Sequence, residues 1–188
     1  MTTKLRSLLF SPHPLATLSF ALPLAALFAW AGSGPRPFSI VPVLGGVLWW
    51  TFAEYAFHRW VYHLKALRVI GDPIHLFHHR NVDDPSVWNA GPLLAIPIAV
   101  AMAIPVLAVT RDWQTTELVL LGSVAAYLVY ECVHHAVHAR SYSAGPLAWL
   151  QGFHLHHHRN PRRCFGVTNP LWDILFGTFV SRAAWRSQ

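Results

Sequence analysis

Four long apolar runs set the pattern of this chain, with a polar and histidine-rich stretch after the second and again after the fourth. They extend from about Leu15 to Ala31, Phe38 to Phe57, Gly91 to Val109 and Glu117 to Val133. A helix needs about 20 apolar residues to cross about 30 Å of hydrocarbon, so each run is expected to span a bilayer. Pro23 lies inside the first run, and Pro92, Pro97 and Pro105 lie in the third. Membrane helices tolerate such prolines when neighbours satisfy the freed carbonyls. The segment Gly32 to Pro37 joins the first two runs as a hairpin, matching the hairpin of the last two. The expectation is an all-α integral membrane protein with four transmembrane helices in two hairpins and a His-rich cytoplasmic helical cap. A rival for the first run is a cleaved signal peptide, with Lys4 and Arg6 before it and Ala29-Trp30-Ala31 at its end. Its length favours a retained helix.

Composition agrees with a bilayer as solvent. Of 188 residues, 54% are hydrophobic, only 12% are charged and nine are Trp, which is not the make-up of a soluble domain. The length suits a single domain over residues 1–188. Twelve of the 14 basic residues follow the even-numbered runs or precede the first, leaving Arg36 and Arg111 on the other side. The positive-inside rule then puts both termini and the histidines in the cytoplasm, with a bacterial inner membrane preferred over endoplasmic reticulum. A net charge of +6 is explained by a basic face beside anionic headgroups and calls for no nucleic acid. Cys132 and Cys164 belong to no metal spacing and read as free thiols in a reducing compartment.

Ten histidines fall into four groups that interrupt the apolar pattern: His58 and His63 in HRWVYH, His75, His78 and His79 in HLFHH, His134 and His138 in HHAVH, and His154, His157 and His158 in HLHHH. Positions i, i+3 and i+4 share a helical face, so each triplet can aim at a common point. Adjacent members diverge by about 100°, and ten ligands far exceed the four of a tetrahedral zinc, so two metals fit better than one. His58 and His63 are i, i+5 and do not share a face; one is expected where a helix ends or unwinds. His13, His135 and His156 fall outside the pattern. No HExxH zinc-hydrolase motif is present, and clusters beyond helix ends do not suit haem.

The order HRWVYH, HLFHH, HHAVH, HLHHH, followed by FGVTNPLWDILFGT, resembles the fatty acid hydroxylase superfamily, the sterol desaturase type of membrane di-iron enzymes. The likeness runs from about Thr51 to Thr178, and the EYxxHRxxxH form of Glu54 to His63 is most similar to fatty acid 2-hydroxylases. It implies a lipid hydroxylase whose two iron ions are held by the ten histidines, with O2 as co-substrate and a lipid drawn from the bilayer. Zinc is expected to replace iron in purified material. Electrons would come from a separate donor of cytochrome b5, ferredoxin or flavoprotein type, since no cytochrome b5 domain precedes the resemblance.

Cleaving an unactivated C–H bond needs a redox metal, which agrees with iron. Glu54 and Glu131, four and three residues before a histidine, are expected to accept ring N–H groups and orient them. The acyl tail would follow Trp49, Trp50 and Tyr127, while Arg159, Arg162 and Arg163 meet a headgroup or hold the cap to the membrane. Residues 165–178 either lie in the interface or close the site. Two other outcomes stay open: a lipid, sterol or carotenoid desaturase or hydroxylase of the same superfamily, and a non-catalytic membrane metal-binding protein.

Overall fold

The computed structural model describes residues 10–11, 14–31, 33–34, 36–71 and 73–185. In chain order the elements are strand β1 (Phe10–Ser11) and helices α1 (Pro14–Ala31) and α2 (Ile40–Ala56), with a π-helical turn Phe57–Tyr62 continuing α2. There follow α3 (Arg68–Gly71), α4 (His75–Arg80), β2 (Asn89–Ala90), α5 (Pro92–Thr110), α6 (Trp113–Ala139), α7 (Gly145–Arg159), α8 (Leu171–Leu175) and α9 (Arg182–Trp185). The protein is mostly helical. Among the described residues the one strand pairing is antiparallel, with Phe10 opposite Ala90 and Ser11 opposite Asn89, and is not announced by the sequence pattern. Lys4, Arg6, His13, Gly32 and Arg186 lie outside the described residues.

The four long helices occupy the four apolar runs, but two of them qualify by length and apolarity as membrane spans among the described residues. These are Ile40–Tyr62, 23 residues, and Trp113–Ala139, 27 residues. The apolar stretches Ala21–Ala31 and Leu94–Thr110 are shorter. Large apolar side chains such as Val41, Leu44, Ile104 and Val109 are exposed, as a lipid-facing surface requires.

Helix α6 is the hub of the bundle. It packs against α1, α2, α5 and α7, and α1 packs chiefly on α6. This corrects the expected pairing of the first two runs as a packed hairpin. The closest approach is between α2 and α6. A Cβ on Gly46 would lie 1.9 Å from the Val119 carbonyl oxygen, and one on Gly122 would lie 1.9 Å from that of Val43. The Ser123 hydroxyl donates across the same seam to the Gly46 carbonyl at 3.1 Å. Small residues let two backbones touch where lipid offers no hydrophobic drive for association.

At the end away from the histidines, the Asp112 carboxylate caps α6 by accepting from Thr115 N–H at 2.9 Å. Arg36 pairs with Asp112 at 2.5 Å and donates to Gln114 at 3.0 Å, tying the start of α2 to the start of α6. Helix α6 also runs further than its apolar pattern suggested: His134 and His138 lie within it and not beyond its end. The C-terminal residues build a small core of their own from Phe153, Cys164 and Trp185, flanked by Trp149 and Val180.

Candidate metal centre

The structure brings all ten patterned histidines together as two groups of five. His58, His63, His75, His79 and His157 form one, and His78, His134, His138, His154 and His158 form the other. Within each group the candidate ligand atoms all lie within 4.8 Å of one another. Neither triplet converges on a single point. His75 and His79 share one group while His78 turns to the other, and His154 and His158 share a group while His157 turns away. The i, i+4 pairs stay together, and the residue beside each pair's last member is carried about 100° round the axis.

The spacing of His58 and His63 is resolved by local unwinding. A π-helix widens the turn to an i→i+5 repeat, and the turn Phe57–Tyr62 ends with His63 as its C-cap. The two rings come within 5.2 Å, centre to centre. His135 and His156 belong to neither group: His135 pairs with Asn89 at 2.8 Å, and His156 is buried against Trp185.

Ring orientation shows whether these groups suit a cation. The Nδ1–H groups of His58, His134 and His157 donate to the backbone carbonyls of Phe165, Trp88 and Arg163, the last two at 2.7 and 2.8 Å. A carbonyl only accepts, so each Nδ1 carries a proton, and in the neutral ring Nε2 is left with a lone pair among the grouped ligand atoms. Nε2 of His58 and of His134 are buried with no protein hydrogen-bond partner. Other Nε2 atoms crowd together, at 3.1 Å for His157 with both His63 and His79 and 3.0 Å for His154 with His158. Burial holds the rings neutral, lowering His63 to about 4 and His79 to about 3, and pushing His75, His78, His154 and His157 well below the usual imidazole range. Neutral imidazole is the ligating form. Orphaned, converging lone pairs on neutral rings fit a metal ion in each group.

Glu54 and Glu131 are buried near these groups, but neither carboxylate touches a histidine ring. Glu54 accepts from Val167 N–H at 2.5 Å, Thr168 N–H at 2.9 Å and the Thr168 hydroxyl at 2.7 Å. Glu131 accepts from the Asn89 side chain at 2.7 Å and Ala90 N–H at 3.2 Å. The expectation that they would accept ring N–H groups is therefore corrected: backbone carbonyls do so instead. A third buried acid, Asp173, lies in the FGVTNPLWDILFGT motif, where nothing in the local pattern announces its partners. It accepts from Phe165 N–H at 2.8 Å, Gly166 N–H at 2.7 Å and the Thr178 hydroxyl at 2.6 Å. Phe165 of this segment packs against the rings of His58, His63 and His157, while Ile174, Leu175 and Phe176 remain exposed.

An apolar cavity of about 150 Å³ opens on both groups. His58, His75, His78 and His134 line one end, with Tyr62 and Tyr130 beside them. It continues between α1, α2, α5 and α6 past Trp50 and Tyr127 to Phe28, Ala103 and Leu120. Trp49, expected on this path, is not part of its wall, and neither are Arg159, Arg162 and Arg163. Arg163 instead donates to the Gly177 carbonyl at 2.7 Å.

Comparison with known proteins gives this arrangement a family. The family model described as fatty acid hydroxylase matches residues 43–178. The dihydroceramide fatty acyl 2-hydroxylase FAH1 of Arabidopsis thaliana is 32% identical over 164 residues, covering 79% of this chain and 65% of the plant protein. The fatty acid 2-hydroxylase of Mus musculus is 26% identical over 147 residues, covering 74% of this chain and 39% of the mouse protein. The chain therefore spans less than two thirds of these relatives. They are eukaryotic, and give no support to a bacterial inner membrane. The fold is also that of the solved full-length scs7p, of which only the hydroxylase domain is visible, with a TM-score of 0.80 at 22% identity over 93% of this chain and 69% of that one. With the match covering most of its length, all four histidine groups included, the chain belongs to the fatty acid hydroxylase family.

Proposed function

We propose that this chain hydroxylates a lipid acyl chain at a di-iron centre held by the ten grouped histidines, acting as a single membrane domain. The observation that carries the reading is the meeting of two five-imidazole groups with the end of an apolar cavity among the helices. The net reaction is R–H + O2 + 2 e⁻ + 2 H⁺ → R–OH + H2O, so one oxygen atom enters the lipid and the other leaves as water. When bound, the iron ions supply the redox chemistry that a C–H bond of an alkyl chain demands. The protein's own part is to hold the rings neutral and aimed, to seat the tail along Trp50 and Tyr127, and to keep water away from the reacting carbon.

The placement of the histidines at one end of the cavity favours attack near the polar end of the lipid, with the tail running away toward Phe28 and Leu120. The names of the relatives, acyl 2-hydroxylases of ceramide-type lipids and fatty acids, agree with that position. Four helices cross the membrane in this reading, with the histidine cap on the cytoplasmic side beside its basic residues. The two electrons come from a donor of the cytochrome b5, ferredoxin or flavoprotein type. Desaturation would use the same site but take two hydrogens from the lipid and add no oxygen.

The test is mass spectrometry of lipids from cells expressing the chain or its His157→Ala variant under 18O2. A lipid that gains one labelled oxygen only with the intact chain is the expected result. Loss of two hydrogens without label would replace hydroxylation by desaturation, and labelling unchanged by His157→Ala would overturn the site.

A further inference from the structure

The two histidine groups are held by the same device built twice. In each, one ring on a long helix hands its Nδ1–H to a backbone carbonyl of a cap segment: His58 to Phe165, and His134 to Trp88. In each, a buried carboxylate one turn earlier on that same helix grips the cap segment one to three residues further along. Glu54 holds Val167 and Thr168, and Glu131 holds Asn89 and Ala90. A ring, a carbonyl, a short stretch of backbone and a carboxylate thus close a loop that begins and ends on one helix. Asp173 braces the first loop from behind through Phe165 and Gly166. Gly166 itself cannot bear a side chain, because a Cβ would lie 2.0 Å from the Asn169 carbonyl oxygen.

We infer that Glu54 and Glu131 are positioning residues, one for each metal: Glu54 aligns His58 in its group and Glu131 aligns His134 in the other, each through backbone. The inference rests on the two-metal reading above. The carboxylates act as hydrogen-bond acceptors and not as ligands, since their oxygens are spent on backbone and side-chain donors. Acceptor geometry is therefore what matters. A glutamine keeps one accepting oxygen, which suffices for Val167 and Thr168 N–H at position 54 and for Asn89 and Ala90 at position 131. Its amide can donate to the Thr168 hydroxyl, which turns to accept.

The test uses the full chain in detergent, loaded with zinc(II) as a redox-silent probe and titrated with a competing chelator. Helix content by circular dichroism confirms that each variant is folded. Glu54→Ala and Glu131→Ala are each expected to weaken one zinc equivalent about 10- to 100-fold, the usual effect of losing an outer partner of a metal-bound histidine, and to leave the other at wild-type affinity. Glu54→Gln and Glu131→Gln should restore both. Combining Glu54→Ala with His157→Ala should cost no more than one equivalent, whereas combining it with His154→Ala should cost both.

Alanine variants that hold both equivalents at wild-type affinity would overturn the inference. So would alanine variants that lose both, which would break the one-to-one assignment, or glutamine variants that behave like alanine, which would make the carboxylates ligands or essential charges. A wild-type chain that binds no zinc would overturn the two-metal reading itself, a failure distinct from these.

Discussion

Ten imidazoles gathered around two points, six of them buried and four half-buried, make the metal-free protein sensitive to acid. His63 is held down to about 4 and His79 to about 3, against an ordinary value of 6.5, because burial opposes the charged form. A folded value below the unfolded one means that the unfolded chain binds more protons as pH falls, so stability drains in that direction. The contribution is complete above pH 6.5 and is lost progressively as pH drops toward 4 and then 3. Each such ring gives a slope of up to about 1.4 kcal/mol per pH unit in the window. The thermal midpoint of the metal-free protein is therefore expected to fall between pH 7 and pH 5. Bound metal should hold the midpoint up through that range, because only the folded state binds it. A midpoint that is flat between pH 7 and pH 5 without metal would contradict burial of neutral rings.

Helices α2 and α6 meet backbone to backbone, and this contact can be tested apart from any chemistry. Alanine normally favours a helix over glycine by about 0.8–1.0 kcal/mol. Gly45, whose Cβ would meet nothing within 4 Å, should follow that rule, so Gly45→Ala is expected to be neutral or stabilising. Gly46→Ala and Gly122→Ala put a methyl 1.9 Å from a carbonyl oxygen and should lose about 1–3 kcal/mol, the cost of an overpacked core. Thermal unfolding of the three variants in one detergent decides the point; equal behaviour of Gly45→Ala and Gly46→Ala would refute the contact. At this scale the sequence speaks clearly about what each helix is made of and poorly about what it touches. The apolar runs marked three of the four helices to within two residues, because hydropathy is a local property, and fell short on α6, whose last turns carry histidines. That α1 lies on α6 is a matter of tertiary packing, and small residues such as Gly46 and Gly122 carry no period that could announce it. The histidine spacings were legible for the same local reason: they placed i, i+4 pairs correctly. Widening of the helix at Phe57–Tyr62 was hinted at by the i, i+5 spacing alone. The partners of Glu54 and Glu131 lie 113 and 41 or more residues away, beyond any local rule.

The whole molecule sets a length as well as a chemistry. From His134 back to Leu120 is nearly four turns of α6, about 21 Å at the helical rise of 1.5 Å per residue, and the cavity follows that stretch between Ala103 on α5 and Phe28 on α1. On the proposed function, a tail entering with its reacting carbon at the histidines would be measured against these far walls. Ala103→Phe fills the distal end, so long acyl chains lose seats for their last methylenes. Each methylene denied burial costs about 0.8 kcal/mol, or roughly fourfold in kcat/KM. Leu120→Ala opens the same end and should shift preference toward longer chains. Because neither residue is near the histidines, zinc stoichiometry should stay at the wild-type level in both variants. The measurement is the ratio of hydroxylated products from a mixture of saturated acyl lipids differing only in chain length. Opposite shifts for the two variants would establish that the cavity seats the tail. An unchanged ratio in both would mean that the tail leaves sideways between the helices, and that this cavity is not where the substrate lies.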